Sequence, residues 1–271
     1  TLASPTLNAL ASTSTENTYS VSVSRNQDAY SQYGTNANSR NVGLALSSAA
    51  SNASIQTQTL ISALDFSNPD GSTVRHALPQ LTGEAYASTS GALMNASHLT
   101  RSAAWGRLQQ AFEGVPTGSP IRVASTDRAQ SATQTNPNSA VWGYGFGTWS
   151  HQKASDSTAK LDARTGGFFT GFDTVVDGAW RLGAMAGYSQ STFKVRELGS
   201  SGDSDNYTIG TYAGREWPLE SGDLAFKSGL AYTWHHLKMK RDIHFSGYQD
   251  SLSSKYNAGT FQVFGELGYK A

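Results

Sequence analysis

Over residues 141–271 the chain alternates apolar and polar side chains in long stretches, and the stretches are joined by long and short connections in turn. Alternation of this kind puts two different solvents on the two faces of a strand. Strands of about ten residues with an apolar exterior and a polar lumen, with short turns on one side and long loops on the other, mark an outer-membrane β-barrel. The expected fold class is therefore mainly β, an antiparallel up-and-down outer-membrane-type barrel preceded by an α-helical N-terminal region.

About six strands can be read. Residues 141–149 set Trp142, Tyr144 and Phe146 on one face and glycines on the other. Residues 165–176 oppose Phe168, Thr170 and Phe172 to Gly167, Gly171 and Asp173. Residues 180–195 alternate Leu182, Ala184, Ala186 and Tyr188 with Arg181, Gly183, Gly187 and Ser189. In residues 206–217, Tyr207 and Ile209 oppose Thr208 and Gly210. The fifth strand is the clearest, with Leu224, Phe226, Leu230, Tyr232 and Trp234 against Ala225, Lys227, Gly229, Ala231 and Thr233. Residues 255–271 set Phe261, Val263, Leu267 and Tyr269 against Thr260, Gln262, Glu266 and Gly268.

Phe226, Leu230, Tyr232, Trp234, Phe261, Val263, Leu267 and Tyr269 are thus expected to face lipid. Asp173, Lys227, Gln262 and Glu266 would be costly toward hydrocarbon and are expected to face the lumen. Residues 151–164, 196–205 and 241–254 read as long loops. Asp177-Gly178 is a type I′ hairpin signal, and 218–223 is also short. This order puts Trp142, Trp180 and Trp217 at the inner interface and Trp149 and Trp234 at the outer one, as two aromatic girdles. A soluble sandwich or lipocalin-like barrel also alternates. In that alternative the chain is a β-rich adhesion or binding module whose three long loops form its contact surface.

The 20 basic residues balance the 20 acidic ones, so charge gives no reason to expect nucleic acid. No run approaches the roughly twenty apolar residues of a membrane-spanning helix, which leaves a barrel open because barrel strands are half polar. There is no cysteine, which is compatible with the cell envelope. The start, Thr1-Leu2-Ala3-Ser4-Pro5, lacks the basic and apolar regions of a signal peptide. The chain is expected to be an internal piece of something longer.

Residues 1–40 contain one alternating strand at 18–25, and 41–112 turn helical. Asn68-Pro69-Asp70-Gly71 is a turn after which Ser72 or Thr73 would cap a helix. Residues 82–112 read as one long helix with a start capped by Thr82 and Glu84. Its apolar stripe holds Ala85, Leu93, Ala96, Leu99, Ala103, Leu108 and Phe112. Residues 113–139 read as a Ser/Thr/Pro/Gln-rich linker, followed by the barrel portion at 140–271.

The run from Leu78-Pro79-Gln80-Leu81 through Thr82-Gly83-Glu84-Ala85-Tyr86-Ala87-Ser88, then Leu93, Arg101, Arg107 and Leu108, resembles the segment before the translocator of monomeric autotransporters. The strand near Tyr19–Arg25 resembles the last rung of an autotransporter passenger. Residues 141–149 resemble the first strand of its β-domain, and Gly166 to Asp173 and Asp177 to Gly183 fit as well. The resemblance implies type V secretion: a barrel in the outer membrane of a Gram-negative bacterium, with its own passenger displayed at the cell surface. The implied partners are outer-membrane lipid and lipopolysaccharide, the barrel-assembly machinery and periplasmic chaperones. The family barrel has twelve strands and a terminal aromatic residue. Six strands ending at Ala271 are therefore expected to be the first half of a translocator, or one of two copies closing a barrel. The linker is the expected occupant of the lumen, and the helix at 82–112 is expected to pack outside it.

No enzyme activity, cofactor or metal is expected. His235 and His236 are neighbours on a strand and point to opposite faces, which works against one tetrahedral site with His244. Lys238, Lys240 and Arg241 read as a solvated strand end that would lie near lipopolysaccharide phosphates. Gly202-Asp203-Ser204 is similar to the Gly-Asp-Ser nucleophile motif of esterase autotransporters, but it has no supporting Asp-x-x-His and reads as a turn. Asn136 and Asn138 in the linker, with Glu266 and Asp173, match the residue types of self-cleaving family members. The simpler reading is a linker that is not cut by its own barrel.

Overall fold

The computed structural model describes residues 3–14, 18–113, 128–136 (backbone only), 138–153, 160–195 and 198–270. Strands β1 (Leu7–Ser14) and β2 (Thr18–Arg25) form a separate antiparallel hairpin. Five helices follow: α1 (Ala37–Ala49), α2 (Ile55–Asp65), α3 (Ser72–Gln80), α4 (Glu84–Ala96) and α5 (His98–Phe112). A seven-stranded antiparallel sheet completes the chain in sequential order. It contains β3 (Arg128–Asn136), β4 (Ser139–Gln152), β5 (Leu161–Val176), β6 (Trp180–Val195), β7 (Ser200–Leu219), β8 (Gly222–Phe245) and β9 (Tyr248–Lys270).

The helix starts follow from local polar chemistry. Asn36 and Ser39 form a reciprocal capping box on α1, and Ser54 accepts from the Thr57 N–H on α2. Two expected caps are corrected. Gly71, at φ +71°, precedes α3, while Ser72 instead bonds the Asp70 carboxylate. Gly83 precedes α4, so Thr82 donates to the Pro79 carbonyl rather than capping, and Glu84 accepts from Asn36 and Asn38. The single helix expected at 82–112 is two, joined at Ser97.

The expected linker 113–139 contains a strand. β3 runs antiparallel to β4, from Arg128 opposite Phe146 to Asn136 opposite Ser139. Residues 114–127 lie outside the described residues, as do 154–159 of the 151–164 loop. The other two long loops are corrected outright. Residues 200–205 and 241–245 are paired strand, and β8 turns into β9 through Ser246 and Gly247 alone. Gly202-Asp203-Ser204 therefore lies within a strand opposite Met239, Lys238 and Leu237, not in a turn.

The sheet curls around α5. Arg107 reaches Asp173 on β5, and Trp105 packs edge-on against Phe264 on β9. In a flat sheet those strands stand about 19 Å apart, nearly twice the diameter of a helix. Only Arg101 and Gln109 of α5 are exposed, so strands enclose the helix on most sides. Leu99, Ala103, Ala104 and Leu108 of α5 share one core with Trp142, Tyr144, Phe146, Phe169, Met185, Tyr212, Ala231 and Phe264.

β7, β8 and β9 run 20, 24 and 23 residues, about twice what a bilayer requires. Beyond α5, the far half of the sheet carries the rest of the helical region. Ala85 and Leu93 of α4 join Leu161, Phe193, Leu237 and Met239. Helices α1–α3 bury Leu46, Leu60, Leu64, Val74 and Leu78 against Ile243 and Phe245 near the β8–β9 turn. Gln80 fixes this docking by donating to the His244 carbonyl and accepting from its N–H.

Candidate functional site

The site is the inside of the curled sheet and the helix within it. Every second residue of each strand points inward, and register lines them into layers. At the end closed by the Asp177-Gly178 and Glu220-Ser221 turns, Asp173 of β5 is fully buried. It receives two hydrogen bonds from Arg107, at 2.6 and 2.9 Å, and one each from Arg181 and the Tyr212 hydroxyl. Trp142 donates from its indole to the same hydroxyl at 2.6 Å. One carboxylate thus ties α5 to β5, β6 and β7, and through Tyr212 to β4. Two cations and a phenol satisfy its lone pairs, which is what a buried charge requires.

Next come the stacked rings of Tyr144, Phe146 and Phe169. Glycines opposite them make room. A Cβ at Gly171 would meet Trp142 at 2.5 Å, and one at Gly187 would meet Phe169 at 2.2 Å. Large side chains therefore lie flat over the neighbouring strand and leave the centre to the helix. Beyond the rings lies a polar belt. His235 bonds Asn206 at 2.6 Å and Thr260 at 2.9 Å, Asn206 bonds Ser189, Ser191 and Ser204, and Thr208 bonds Thr233. This belt lines a pocket of about 30 Å³.

Three of the expected lumen residues, Asp173, Lys227 and Glu266, take polar partners on the inward face, and Gln262 points there as well. Lys227 pairs with Glu266 at 3.2 Å in the open mouth at the turn end, beside Glu113, Glu216 and Asp223. The interior beyond this mouth is not the polar channel expected of alternating strands. It is packed, because α5 occupies it, so the expectation that the helix lies outside is overturned.

Apart from Thr211, Arg215 and Ser228, the outward face is apolar over 180–188 of β6, 207–217 of β7 and 226–234 of β8, stretches of 9 to 11 residues. On β9, Phe261, Val263, Leu267 and Tyr269 are exposed, as are Leu230 and Trp234 on β8; Phe226 and Tyr232 are half-buried among neighbouring rings. Register places Tyr188, Tyr207 and Trp234 in one row. At the turn end Trp180 meets Trp217 and Phe226 edge-on. Trp149 points outward, level with Arg164 of β5, and is 60% exposed.

Trp142 is a correction. It is 2% exposed and points inward to Tyr212, not to an interface. The sequence reading also missed Phe169 and Phe264, which break the alternation as aromatics on the inward face. Two consecutive phenylalanines at 168–169 were the available signal. His235 faces inward and His236 outward against Tyr207. No metal-binding group of three or more His, Asp or Glu occurs among the described residues. Asn136 lies on β3, opposite Ser139.

The family model for the autotransporter β-domain matches residues 141–271. Two curated relatives, each an extracellular serine protease of Serratia marcescens, are 31% and 30% identical over 196 residues, or 72% of this chain. The chain spans only 17% of the length of either relative. No solved structure matches it.

Proposed function

Residues 141–271 belong to the autotransporter β-domain family, which anchors in the outer membrane and exports its own passenger to the surface, and from that premise we propose a division of labour along this chain. Strands β4–β9 form the membrane-embedded wall. Helix α5 is the stretch of chain that threads the lumen. Helices α1–α4 and the β1–β2 hairpin stand on the extracellular rim as the base of the passenger. The observation that carries this reading is the enclosure of α5, with Arg107 locked to Asp173 at the turn end and α1–α3 docked at the opposite end.

The orientation follows from the connections. The Asp177-Gly178 and Glu220-Ser221 turns close the sheet at the edge of the apolar band, whereas at the other end β7–β9 run on beyond the band before β8 turns into β9 at Ser246-Gly247; the short side belongs to the periplasm and the extended side to the exterior. α5 then runs inward from the surface, so the passenger side is already outside. Hydrocarbon cannot satisfy the backbone donors and acceptors of an open sheet edge, so a sheet of this kind has to enter the membrane with its edges paired or covered. That need supports assembly with the barrel-assembly machinery and periplasmic chaperones. We infer no catalytic role for the chain; the protease activity in the relatives' description stays with those proteins.

Labelling of intact cells tests this reading, because the chain has no cysteine of its own. In the natural full-length protein, a cysteine replacing Ile55, which is 84% exposed on α2, is expected to react with a membrane-impermeant maleimide. One replacing Glu220 at a short turn is expected to react only after the outer membrane is permeabilised. The opposite pattern would invert the orientation and remove the reading.

A further inference from the structure

Within the outward apolar band one cation is placed among rings. Arg215 of β7 stands opposite Phe226 of β8 and two residues from Trp217 on the same face. Its guanidinium lies 5.1 Å from the centre of the Trp217 ring and 5.8 Å from that of Trp180. Among the described residues, no carboxylate pairs with it. Its Nε is sealed from solvent and has no hydrogen-bond partner. Arg181 on the adjacent strand differs: it points inward and is neutralised by Asp173.

An arginine stays charged at any physiological pH. Facing hydrocarbon at the bilayer midplane it is strongly destabilising, and near an interface it is almost neutral. The two tryptophans cover the guanidinium by cation–π contact, and with Nε sealed its terminal Nη donors are left to find an acceptor. A guanidinium edge matches the paired oxygens of a phosphate. The cluster sits at the turn end, where the proposed orientation puts the periplasmic leaflet. We propose that Trp180, Arg215, Trp217 and Phe226 form a site for the phosphate of a phospholipid in that leaflet, with the acyl chains lying along the apolar band. The leaflet assignment rests on the translocator reading; the phosphate chemistry does not.

The test is native mass spectrometry of the full chain released from a non-ionic, phosphate-free detergent. It is mixed either with phosphatidylglycerol or with diacylglycerol of the same chains. The wild type is expected to retain phosphatidylglycerol about fivefold better than diacylglycerol, the size of one basic contact at a membrane surface. Arg215→Gln is expected to abolish the preference, and Arg215→Lys to keep part of it. Circular dichroism of each variant checks that the sheet is retained. Equal retention of the two lipids by wild type, or an undiminished preference in Arg215→Gln, overturns the site. If millimolar inorganic phosphate displaces phosphatidylglycerol from the wild type, the site is for free phosphate and the lipid assignment is overturned. Each of these outcomes leaves the cell-labelling orientation test unaffected, so the two failures are distinguishable.

Discussion

Asp173 shows how much one residue organises. It is a buried carboxylate with three side-chain partners drawn from α5, β6 and β7. Removing one partner of a buried ion pair leaves an uncompensated charge, at about 3–5 kcal/mol. Arg107→Ala is therefore expected to lower stability by about 3 kcal/mol, read from urea unfolding in detergent. Arg181 and Tyr212 still reach the carboxylate in that variant, which places the loss at the low end of the range, whereas Asp173→Leu strands both Arg107 and Arg181 without their anion and is expected to cost more. The sequence offered Asp173 as a lumen residue from its phase alone. Arg107 stands in the motif before the barrel, but on a helix expected outside the lumen, so its pairing with Asp173 was not legible. Tyr30 is a second buried polar partner, donating to Asp65 at 2.6 Å beside Arg25. Burial, then its bond to Asp65, pushes its phenol well above the usual range. The neutral form is favoured in the fold, so this contribution is intact below the unfolded value of about 10 and is lost as pH rises beyond it. Near-UV circular dichroism of the helical region is expected to change above about pH 10, and Tyr30→Phe is expected to remove that component.

At the scale of elements, the phase of the strands was legible and their ends were not. Residues 180–195 form a strand with the expected bounds, and all six expected strands keep the expected alternation. The lengths of β7–β9 were hidden because residues 200–206 are Ser, Gly, Asp and Asn, which have low intrinsic strand preference. Pairing with β8 and the cover of α4 hold them in the sheet, a tertiary effect that no local window contains. The face of β4 was equally misleading. Trp142, Tyr144 and Phe146 look like a lipid-facing or girdle row, yet glycines across the sheet let them lie inward under α5. This arrangement predicts that Gly187→Val is destabilising by about 1–3 kcal/mol through overpacking against Phe169. Gly143→Val, on the open outer face, is expected to be nearly neutral. Thermal unfolding of the two variants in the same detergent checks the contrast.

For the whole molecule, the apolar exterior and the enclosed helix are two sides of one arrangement. A sheet whose outer face carries Phe261, Val263 and Leu267, each about two-thirds exposed, needs lipid outside. A sheet whose inner face is apolar over several layers needs a helix inside. The fold class was visible from alternation, and the family from the motifs before and within the barrel. The content of the lumen was not visible, since a helix inside a sheet and a helix beside it share one pattern. The central claim is that β9 presents one face to lipid while the other faces the helix-filled interior. Spin labels placed singly at positions 260–267, with the chain in phospholipid bilayers, test it most directly. Collision with oxygen is expected to peak at 261, 263, 265 and 267, and collision with a water-soluble nickel complex to remain low there. Odd positions that favour the nickel complex, or a profile with no period of two, would contradict the account.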